Sequence, residues 1–252
     1  MFAKHSEFIL VVTDEYCRDR GFSDYFNLAM NSTLSLAQFY ETMGSDLFIA
    51  QRNRMDNREN AEGYMGDRNF RQLLPYPVIC RKGDNGELLF LTYQRGKGVG
   101  ESRLAGNASI GFGGHLELED VITFSTANSI IDIVKTIANG AERELEEELQ
   151  VINNEGKSVA SALKSASVID HGLIYDNSND VGRLHLGIPS MYLLHEDLEF
   201  DVKESELKML GWYSAEQLLE PETNSESWTL ILAQHFKDLS ASQLDEYLNT
   251  VP

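Results

Sequence analysis

The sequence is poor in the features that mark disulfide-rich, zinc-binding and membrane-spanning proteins. Cysteine occurs twice, at Cys17 and Cys80, and the two residues form no CxxC pair. This scarcity argues against a disulfide framework or a zinc site and predicts two buried free thiols. The longest apolar run near the start, Phe8 to Val12, is too short for a signal sequence or a membrane span. We therefore expect a soluble, cytoplasmic protein that contacts no membrane.

Basic residues are also scarce. The chain has 21 lysines and arginines against 40 aspartates and glutamates, which gives a formal net charge of −19. So acidic a surface repels a polyphosphate backbone, and we expect no duplex nucleic acid among the partners. Most of the surplus carboxylates must simply face solvent, but a few of them could form a cluster that needs a divalent cation.

The order of the predicted elements points to an α/β fold. With 252 residues, of which 42% are hydrophobic, the chain can bury a full core. From residue 70 onward, short β-type runs separated by turn signals surround one central helix, and a further helix follows them. This order predicts a mixed sheet covered by helices on both faces. Residues 1–69 are expected to form an N-terminal elaboration packed on the main domain, which spans residues 70–252.

The central helix carries a run of glutamates in the sequence RELEEEL. On a helical wheel, Glu144, Glu147 and Glu148 share one flank of the apolar stripe, whereas Glu142 and Glu146 point to solvent. The first three lie within one turn near the helix C-terminus, where they repel one another and oppose the helix dipole. A divalent cation would offset this repulsion. The alternative is an ordinary acidic face exposed to solvent.

Two segments of the chain resemble the Nudix box, whose pattern is G-x5-E-x7-R-E-U-x-E-E-x-G-U with U apolar. They are residues 113–117 (GGHLE) and 143–151 (RELEEELQV). The resemblance covers roughly residues 70–239. Residues 70–76 (FRQLLPY) and 109–115 (SIGFGGH) are similar to a Nudix subgroup labelled predicted phosphoesterases. It implies a Nudix-type α/β/α sandwich around a mixed β-sheet. The activity that it implies is Mg²⁺- or Mn²⁺-dependent hydrolysis of the pyrophosphate in a nucleoside diphosphate linked to another moiety, a small nucleotide-type substrate. Nudix relatives are often dimers, which leaves a homodimer open.

The resemblance also implies a role for individual residues. Arg143 would orient a box carboxylate through its guanidinium. Gly113 and Gly114 would let the backbone approach the metal and the substrate phosphates closely, and His115 beside them would contact a phosphate or the metal. The metal ligands that the resemblance implies are Glu144, Glu147 and Glu148.

Several residues outside the box have two interpretations each. Arg95 and Arg103, in the Gly-rich connection before the box, would either steady substrate phosphates or be solvated in a loop. Glu206, with Glu204 close by, lies where many Nudix enzymes draw a general base, and a solvated turn is the alternative. His185 alternates with apolar residues, so it would either face the site from a strand or be buried with its hydrogen bonds satisfied.

The spacing of the box departs from the pattern. Arg143 follows Gly114 by 29 positions where the box has 14, which is an excess of 15 residues. Counted back from Arg143, the first box glutamate falls on Lys135. That carboxylate is therefore missing or supplied by another residue, and the candidates are Glu117, Glu119, Asp120 and Asp132.

A second departure concerns the end of the box. Gln150 replaces its last glycine, so we expect the helix to finish near Asn153 or Gly156. The two departures motivate an alternative function, in which a catalytically silent Nudix fold acts as a nucleotide sensor or a protein-interaction module. An isomerase like those of isopentenyl diphosphate is less favoured, because the chain lacks the upstream metal histidines and the catalytic cysteine of that branch.

Overall fold

The computed structural model describes residues 7–22, 24–27, 42–43, 46–52, 70–96, 105–123, 131–153, 156–169, 172–239 and 242–245. The main helices are α1 (Asp14–Asp19), α2 (Ile133–Glu148), α3 (Val159–Ala162), α4 (Ala215–Leu219) and α5 (Ser227–Asp238). The strands are β1 (Phe8–Thr13), β2 (Tyr25–Asn27), β3 (Leu47–Gln51), β4 (Phe70–Lys82), β5 (Leu88–Arg95), β6 (Ala108–Ser109), β7 (Leu149–Val151), β8 (Ser167–Ile169), β9 (Gly172–Ile174), β10 (His185–Leu194), β11 (Phe200–Val202) and β12 (Leu207–Ser214). Among the described helices, none combines the length and the apolarity that a membrane crossing requires.

The chain forms two compact units. The first comprises Met1–Pro75, Gly113–Ala141 and His171–Ile188, and the second comprises Tyr76–Phe112, Glu142–Asp170 and Pro189–Pro252. Strands β4 and β10 and helix α2 each contribute residues to both units. The beginning of α2 therefore belongs to the first unit, and its run of glutamates belongs to the second.

In the first unit, antiparallel pairs form around β1. This strand pairs with β3, where Val11 lies opposite Phe48, and with the start of β4. Strand β9 pairs with β2 and with the start of β10. Because successive side chains of a strand point to opposite faces, β1 serves two apolar clusters. Leu10 and Val12 are buried in one cluster, and Ile9 and Val11 are buried in the other.

In the second unit, β5 has antiparallel partners on both sides. It pairs with the end of β4, where Cys80 lies opposite Phe90, and with β6 and β12. Strand β10 pairs with β8, and β7 pairs with β11 in a separate two-stranded sheet. A hairpin turn around Asp84 joins β4 to β5, and Gly86 within it has a φ of 84°. Glycine adopts this backbone angle without the strain that a side chain would cause.

Helix α2 runs without interruption through Asn139-Gly140, as the unbroken apolar pattern predicts. A Cβ atom at Gly140 would lie 2.5 Å from Leu116 Cδ2 and 3.3 Å from Pro75 Cγ. Glycine inside a helix costs about 1 kcal/mol relative to alanine. The close approach of these neighbours explains why the helix carries it.

The prediction of where this helix ends is wrong. Helix α2 finishes at Glu148 and the chain enters β7 directly, before Asn153 or Gly156 is reached. The physical reason is the pairing of β7 with β11, together with a hydrogen bond from the Lys203 backbone N–H to the Glu148 carbonyl at 2.8 Å. Asn153 instead bonds through its side chain to the segment just before β11.

Candidate active site

The C-terminal half of α2 fixes where the predicted carboxylates point. Leu145 and Leu149 are 1% and 0% exposed and pack in the core of the second unit, which sets the rotation of the helix about its axis. Glu144 is consequently only 8% exposed, whereas the side chain of Glu147 is 59% exposed. Glu148 is half-buried between these extremes. The three carboxylates thus occupy one flank of the helix but differ in their access to water.

Arg143 links two of these carboxylates. Its Nη1 donates to Glu144 Oε1 at 2.8 Å and to Glu147 Oε2 at 3.4 Å. The arginine side chain is itself 19% exposed. Ion pairs of this kind fix the orientation of a carboxylate, and this contact is the one that the orienting role assigned to Arg143 requires.

Glu148 is the electrostatically unusual member of the group. Its Oε2 atom is buried, and no described residue donates a hydrogen bond to it. Burial chiefly raises the pKa of Glu148 to about 8; Arg95 opposes the shift, and Glu144, Glu204 and Glu226 add to it. Leaving a buried carboxylate oxygen without a donor is costly. Such groups concentrate at functional sites.

The acidic side chains around Glu148 do not form a complete metal site among the described residues. Within the described part of the chain, no three His, Cys, Asp or Glu side chains are placed to hold a metal ion. The three predicted ligands are therefore not preassembled, because Glu147 reaches toward solvent while Glu144 is held by Arg143. The oxygen of Glu148 is nevertheless a hard ligand of the kind that binds Mg²⁺ once the carboxyl has lost its proton.

The loop before β12 is attached to the end of this helix. The backbone N–H of Lys203 donates to the carbonyl of Glu148, and its ammonium contacts the carbonyl of Glu146. Both contacts satisfy helix-terminal carbonyls, and the positive charge suits the negative end of the helix dipole. Glu204 follows directly, whereas the backbone carbonyl of Glu206 lies against Gly96.

One glutamate of the helix differs from its prediction. Glu146, expected to be solvated, accepts a hydrogen bond at 2.7 Å from the backbone N–H of Ala160 through its Oε1 atom. It therefore satisfies a free donor at the start of α3. Glu142, which was also expected in solvent, is exposed.

Arg95, at the end of β5, brings positive charge to the site. Its Nε donates to Glu226 Oε2 at 3.2 Å, and its charge is one of those that act on Glu148. Sequence reasoning missed Glu226, because a glutamate just ahead of an apolar helix looks like a solvated residue. Its partners Tyr76 and Ser109 stand in segments that the Nudix resemblance marks, which was the one available signal.

A sequence relative shows the family to which the chain belongs. Protein YmaB of Bacillus subtilis (strain 168) is 36% identical over 165 residues, which span 65% of this chain and 69% of YmaB. The chain belongs to the YmaB family. No protein-family model matches it.

The solved structures give the fold of this YmaB family member. The crystal structure of Tm1382, a candidate Nudix hydrolase, matches with a TM-score of 0.57 and 22% identity over 93% of this chain and 100% of that one. A Nudix hydrolase from Alicyclobacillus acidocaldarius matches with a TM-score of 0.48 and 14% identity over 72% of this chain and 96% of that one. The likeness to Tm1382 confirms the predicted α/β class and the Nudix-type α/β/α sandwich.

The glycines and the histidine of the box, together with His185, lie in the first unit of this Nudix fold. Gly113, Gly114 and His115 are all half-buried. The ring of His115 lies against that of His185, with centroids 5.4 Å apart. His185 is 4% exposed, and its Nδ1 donates to the carbonyl of Val181 at 2.7 Å. This is the buried, hydrogen-bonded state that was one of its two interpretations. Arg103 lies outside the described residues.

The position of the first box glutamate carries an ion pair in this YmaB relative. Lys135 Nζ lies 2.8 Å from Asp132 Oδ2, and Asp132 Oδ1 accepts the Lys135 backbone N–H at 3.2 Å, so the aspartate caps the start of α2. Asp120 is also engaged, because its Oδ2 accepts the backbone N–H of Glu117 at 2.9 Å. Glu119 is exposed. Two of the four candidate replacements thus serve local capping.

Proposed function

We propose that this protein is a Mg²⁺- or Mn²⁺-dependent hydrolase that cleaves the pyrophosphate of a nucleoside diphosphate linked to another moiety. The observation that carries the proposal is the half-buried carboxylate of Glu148, whose Oε2 has no donor among the described residues. It stands beside Glu144 on a helix that matches the Nudix box, in a chain with the Nudix fold. A carboxyl oxygen without a hydrogen-bond donor is suited to a divalent cation, which displaces the proton when it binds.

The residues that would hold the metal are Glu144, Glu147 and Glu148. When bound, a divalent cation neutralises charge on the phosphate oxygens and lowers the pKa of a coordinated water. Arg143 keeps Glu144 and Glu147 oriented through its two ion pairs. Glu147 is exposed, whereas Glu148 is half-buried on the same flank of the helix.

In the hydrolysis itself, water attacks one phosphorus of the pyrophosphate and the bridging P–O bond breaks. The proton of that water passes to a carboxylate base. The base comes from the loop before β12. Sequence position alone names Glu206, but Glu204 lies next to the end of α2, which favours Glu204 as the base. The guanidinium of Arg95 contacts phosphate oxygens and compensates their charge.

A substrate panel tests the proposal. The pure protein is assayed with ADP-ribose, dinucleotides, nucleotide sugars, coenzyme A and deoxynucleoside triphosphates, each with Mg²⁺, with Mn²⁺ and with a chelator. We expect metal-dependent product release from at least one class and a loss of about 100-fold or more in Glu148→Gln. Glu142→Gln, an exposed glutamate of the same helix, is the matched control. Full Mg²⁺-dependent activity in Glu148→Gln would contradict the proposal.

A second candidate is a catalytically silent Nudix fold that binds a nucleotide or a protein. The observation that favours it is the ion pair of Lys135 with Asp132 where the box has its first glutamate. The same panel separates the two, because a silent protein binds nucleotide but releases no product over many equivalents of substrate.

A further inference from the structure

Glu226 is a buried carboxylate that the chemistry above does not use. It stands just ahead of α5 and is 5% exposed. Its Oε1 accepts hydrogen bonds from Tyr76 Oη at 2.8 Å and Ser109 Oγ at 2.7 Å, and its Oε2 accepts one from Arg95 Nε at 3.2 Å. Both oxygens are therefore bonded, as a buried carboxylate requires.

The ring of Tyr76, one of the donors to Glu226, is closely packed. The ring of Tyr76 packs so closely on Gly111 that a Cβ atom there would lie 2.1 Å from it. Trp228 meets the same ring edge-on, with centroids 5.3 Å apart. Burial raises the pKa of Tyr76 well above its ordinary value, so the phenol stays protonated and donates. A carboxylate held in this way has one orientation.

The backbones of Arg95 and Glu226 are tied to one short segment. The N–H of Arg95 donates to the carbonyl of Asn107 at 3.0 Å, and the N–H of Gly106 donates back to Arg95 at 2.7 Å. The N–H of Glu226 donates to the carbonyl of Ala108 at 2.9 Å. The ion pair therefore connects two points whose separation the backbone already fixes.

The guanidinium of Arg95 is held by one nitrogen only. Nε is bonded to Glu226, while neither Nη atom has a hydrogen-bond partner among the residues that the structure describes. The side chain remains 25% exposed. Arg95 lies near the glutamate helix, because it pairs with Leu207 at the start of β12 and the N–H of Lys203, four positions before Leu207, donates to the carbonyl of Glu148. Two parallel N–H groups with a fixed plane match the oxygens of a phosphate.

We propose that Glu226 is a positioning residue, which holds Arg95 by its Nε so that both Nη groups can bind non-bridging oxygens of the substrate pyrophosphate. The inference rests on the proposed function for the identity of the ligand. The alternative is a purely structural ion pair that joins β5 to α5. A structural pair affects the free energy of unfolding but leaves the affinity for a phosphate anion unchanged.

Glu226→Gln separates these roles because it changes one contact selectively. The amide oxygen can still accept from Tyr76 and Ser109, but the amide nitrogen cannot accept from Arg95 Nε. The probe is inorganic pyrophosphate, titrated calorimetrically with and without Mg²⁺. We expect about 10-fold weaker binding in Arg95→Ala, since a charge-assisted hydrogen bond is lost. Glu226→Gln should weaken binding about 3- to 10-fold, and Arg81→Ala, which loses a pair with Asp197, should not change it.

The double variant gives the decisive measurement. If Glu226 acts through Arg95, then Glu226→Gln adds less than about twofold to the loss already caused by Arg95→Ala. Unchanged binding in Arg95→Ala overturns the inference, and so does a normal affinity in folded Glu226→Gln. Should Glu226→Gln fail to fold, Ser109→Ala removes a single donor, and an affinity equal to wild type would then overturn it.

The test of the positioning role can be distinguished from the test of the proposed function. If no substrate is hydrolysed but pyrophosphate binding depends on Arg95 and Glu226 as described, the positioning role stands and the hydrolase proposal fails. Where hydrolysis is found, we expect Glu226→Gln to raise KM more than it lowers kcat, because the phosphate contact exists before the chemical step. An equal fall of kcat and kcat/KM with an unchanged KM contradicts the proposed ground-state contact.

Discussion

The backbone N–H of Lys203 donates to the carbonyl of Glu148 at 2.8 Å, and this bond joins the loop before β12 to the end of the glutamate helix. It places Glu204 beside Glu148, where the negative charge of Glu204 helps to raise the pKa of that carboxyl. Glu206, two positions later, has its backbone against Gly96. The loop therefore brings one of its two exposed glutamates, Glu204, next to the end of the helix.

This arrangement predicts unequal effects of the two loop glutamates. Glu204→Gln should lower kcat by about 100-fold if it removes the general base, whereas Glu206→Gln should change kcat by less than about threefold. The measurement is kcat and KM on the best substrate of the panel. The reverse order would assign the base to Glu206, and two small effects would place the base outside this loop.

The buried carboxylate of Glu148 predicts a gain of stability on its removal. Its pKa lies at about 8 in the folded protein against an ordinary value of 4.5, so the folded state binds the proton more tightly than the unfolded state. The stabilising contribution is thus complete below about pH 4.5 and is lost as the pH rises through 8. Wild type carries an unsatisfied buried charge at high pH, and Glu148→Gln does not.

Thermal unfolding in the presence of a chelator measures this effect. At pH 9 we expect the free energy of unfolding of Glu148→Gln to exceed that of wild type by about 1 to 3 kcal/mol, which raises the unfolding temperature by several degrees. The difference should shrink as the pH approaches 4.5. Glu142→Gln controls for the general loss of negative charge on the helix. A pH-independent difference would mean that the carboxylate of Glu148 is not withdrawn from water.

Metal binding predicts that Mg²⁺ raises the melting temperature of wild type more than that of Glu148→Gln. A cation that binds only the folded state stabilises it by mass action, by about 2.7 kcal/mol at 100 times its Kd. Wild type should therefore gain melting temperature as Mg²⁺ is added and lose the gain with a chelator. Glu148→Gln should show little of the gain, and Glu142→Gln should keep it. Equal responses of the two variants would argue for bulk ionic effects.

The parts of this site that the sequence predicts are local ones. Helix α2, its continuity through Gly140 and the flank shared by Glu144, Glu147 and Glu148 follow from helical periodicity and a motif read within one segment. The Nudix fold follows from the same motif. The end of the helix was predicted wrongly from the same local signals. The helix ends at Glu148 because β7 pairs with β11, and no periodicity within the helix encodes that pairing.

The polar contacts of the site, in contrast, join positions that are far apart in the sequence. Tyr76 and Glu226 are 150 positions apart, and a hydrogen bond joins them. Arg95 and Glu226 are 131 positions apart. Glu146 was predicted to be solvated because the wheel places it away from the apolar stripe, yet α3 supplies it with a backbone donor. A sequence without an aligned family contains no signal for which polar residues meet in this way.

At position 140 we expect alanine to give a less stable protein than glycine, although alanine is the better helix former. Alanine favours a helix over glycine by about 1 kcal/mol, but its Cβ would lie 2.5 Å from Leu116 Cδ2 and 3.2 Å from Asp120 Oδ2. Overpacking a core in this way costs about 1 to 3 kcal/mol, so Gly140→Ala should lower the free energy of unfolding in urea. Glu142→Ala is the control for helix propensity at an exposed position. A stabilised Gly140→Ala would show that its neighbours can move aside at little cost.

The two thiols predict slow labelling in the native protein. Cys17 and Cys80 are free and buried, as the sequence predicts. Burial raises the pKa of Cys17 to about 12, with smaller effects from Arg71 and Asp14, and it raises the pKa of Cys80 further still. Because the thiolate is the reactive form, iodoacetamide at pH 8 should modify neither thiol at an appreciable rate until the protein unfolds, when both should react. Mass spectrometry against a urea series follows the modification, and rapid native labelling of either residue would show that its surroundings open readily.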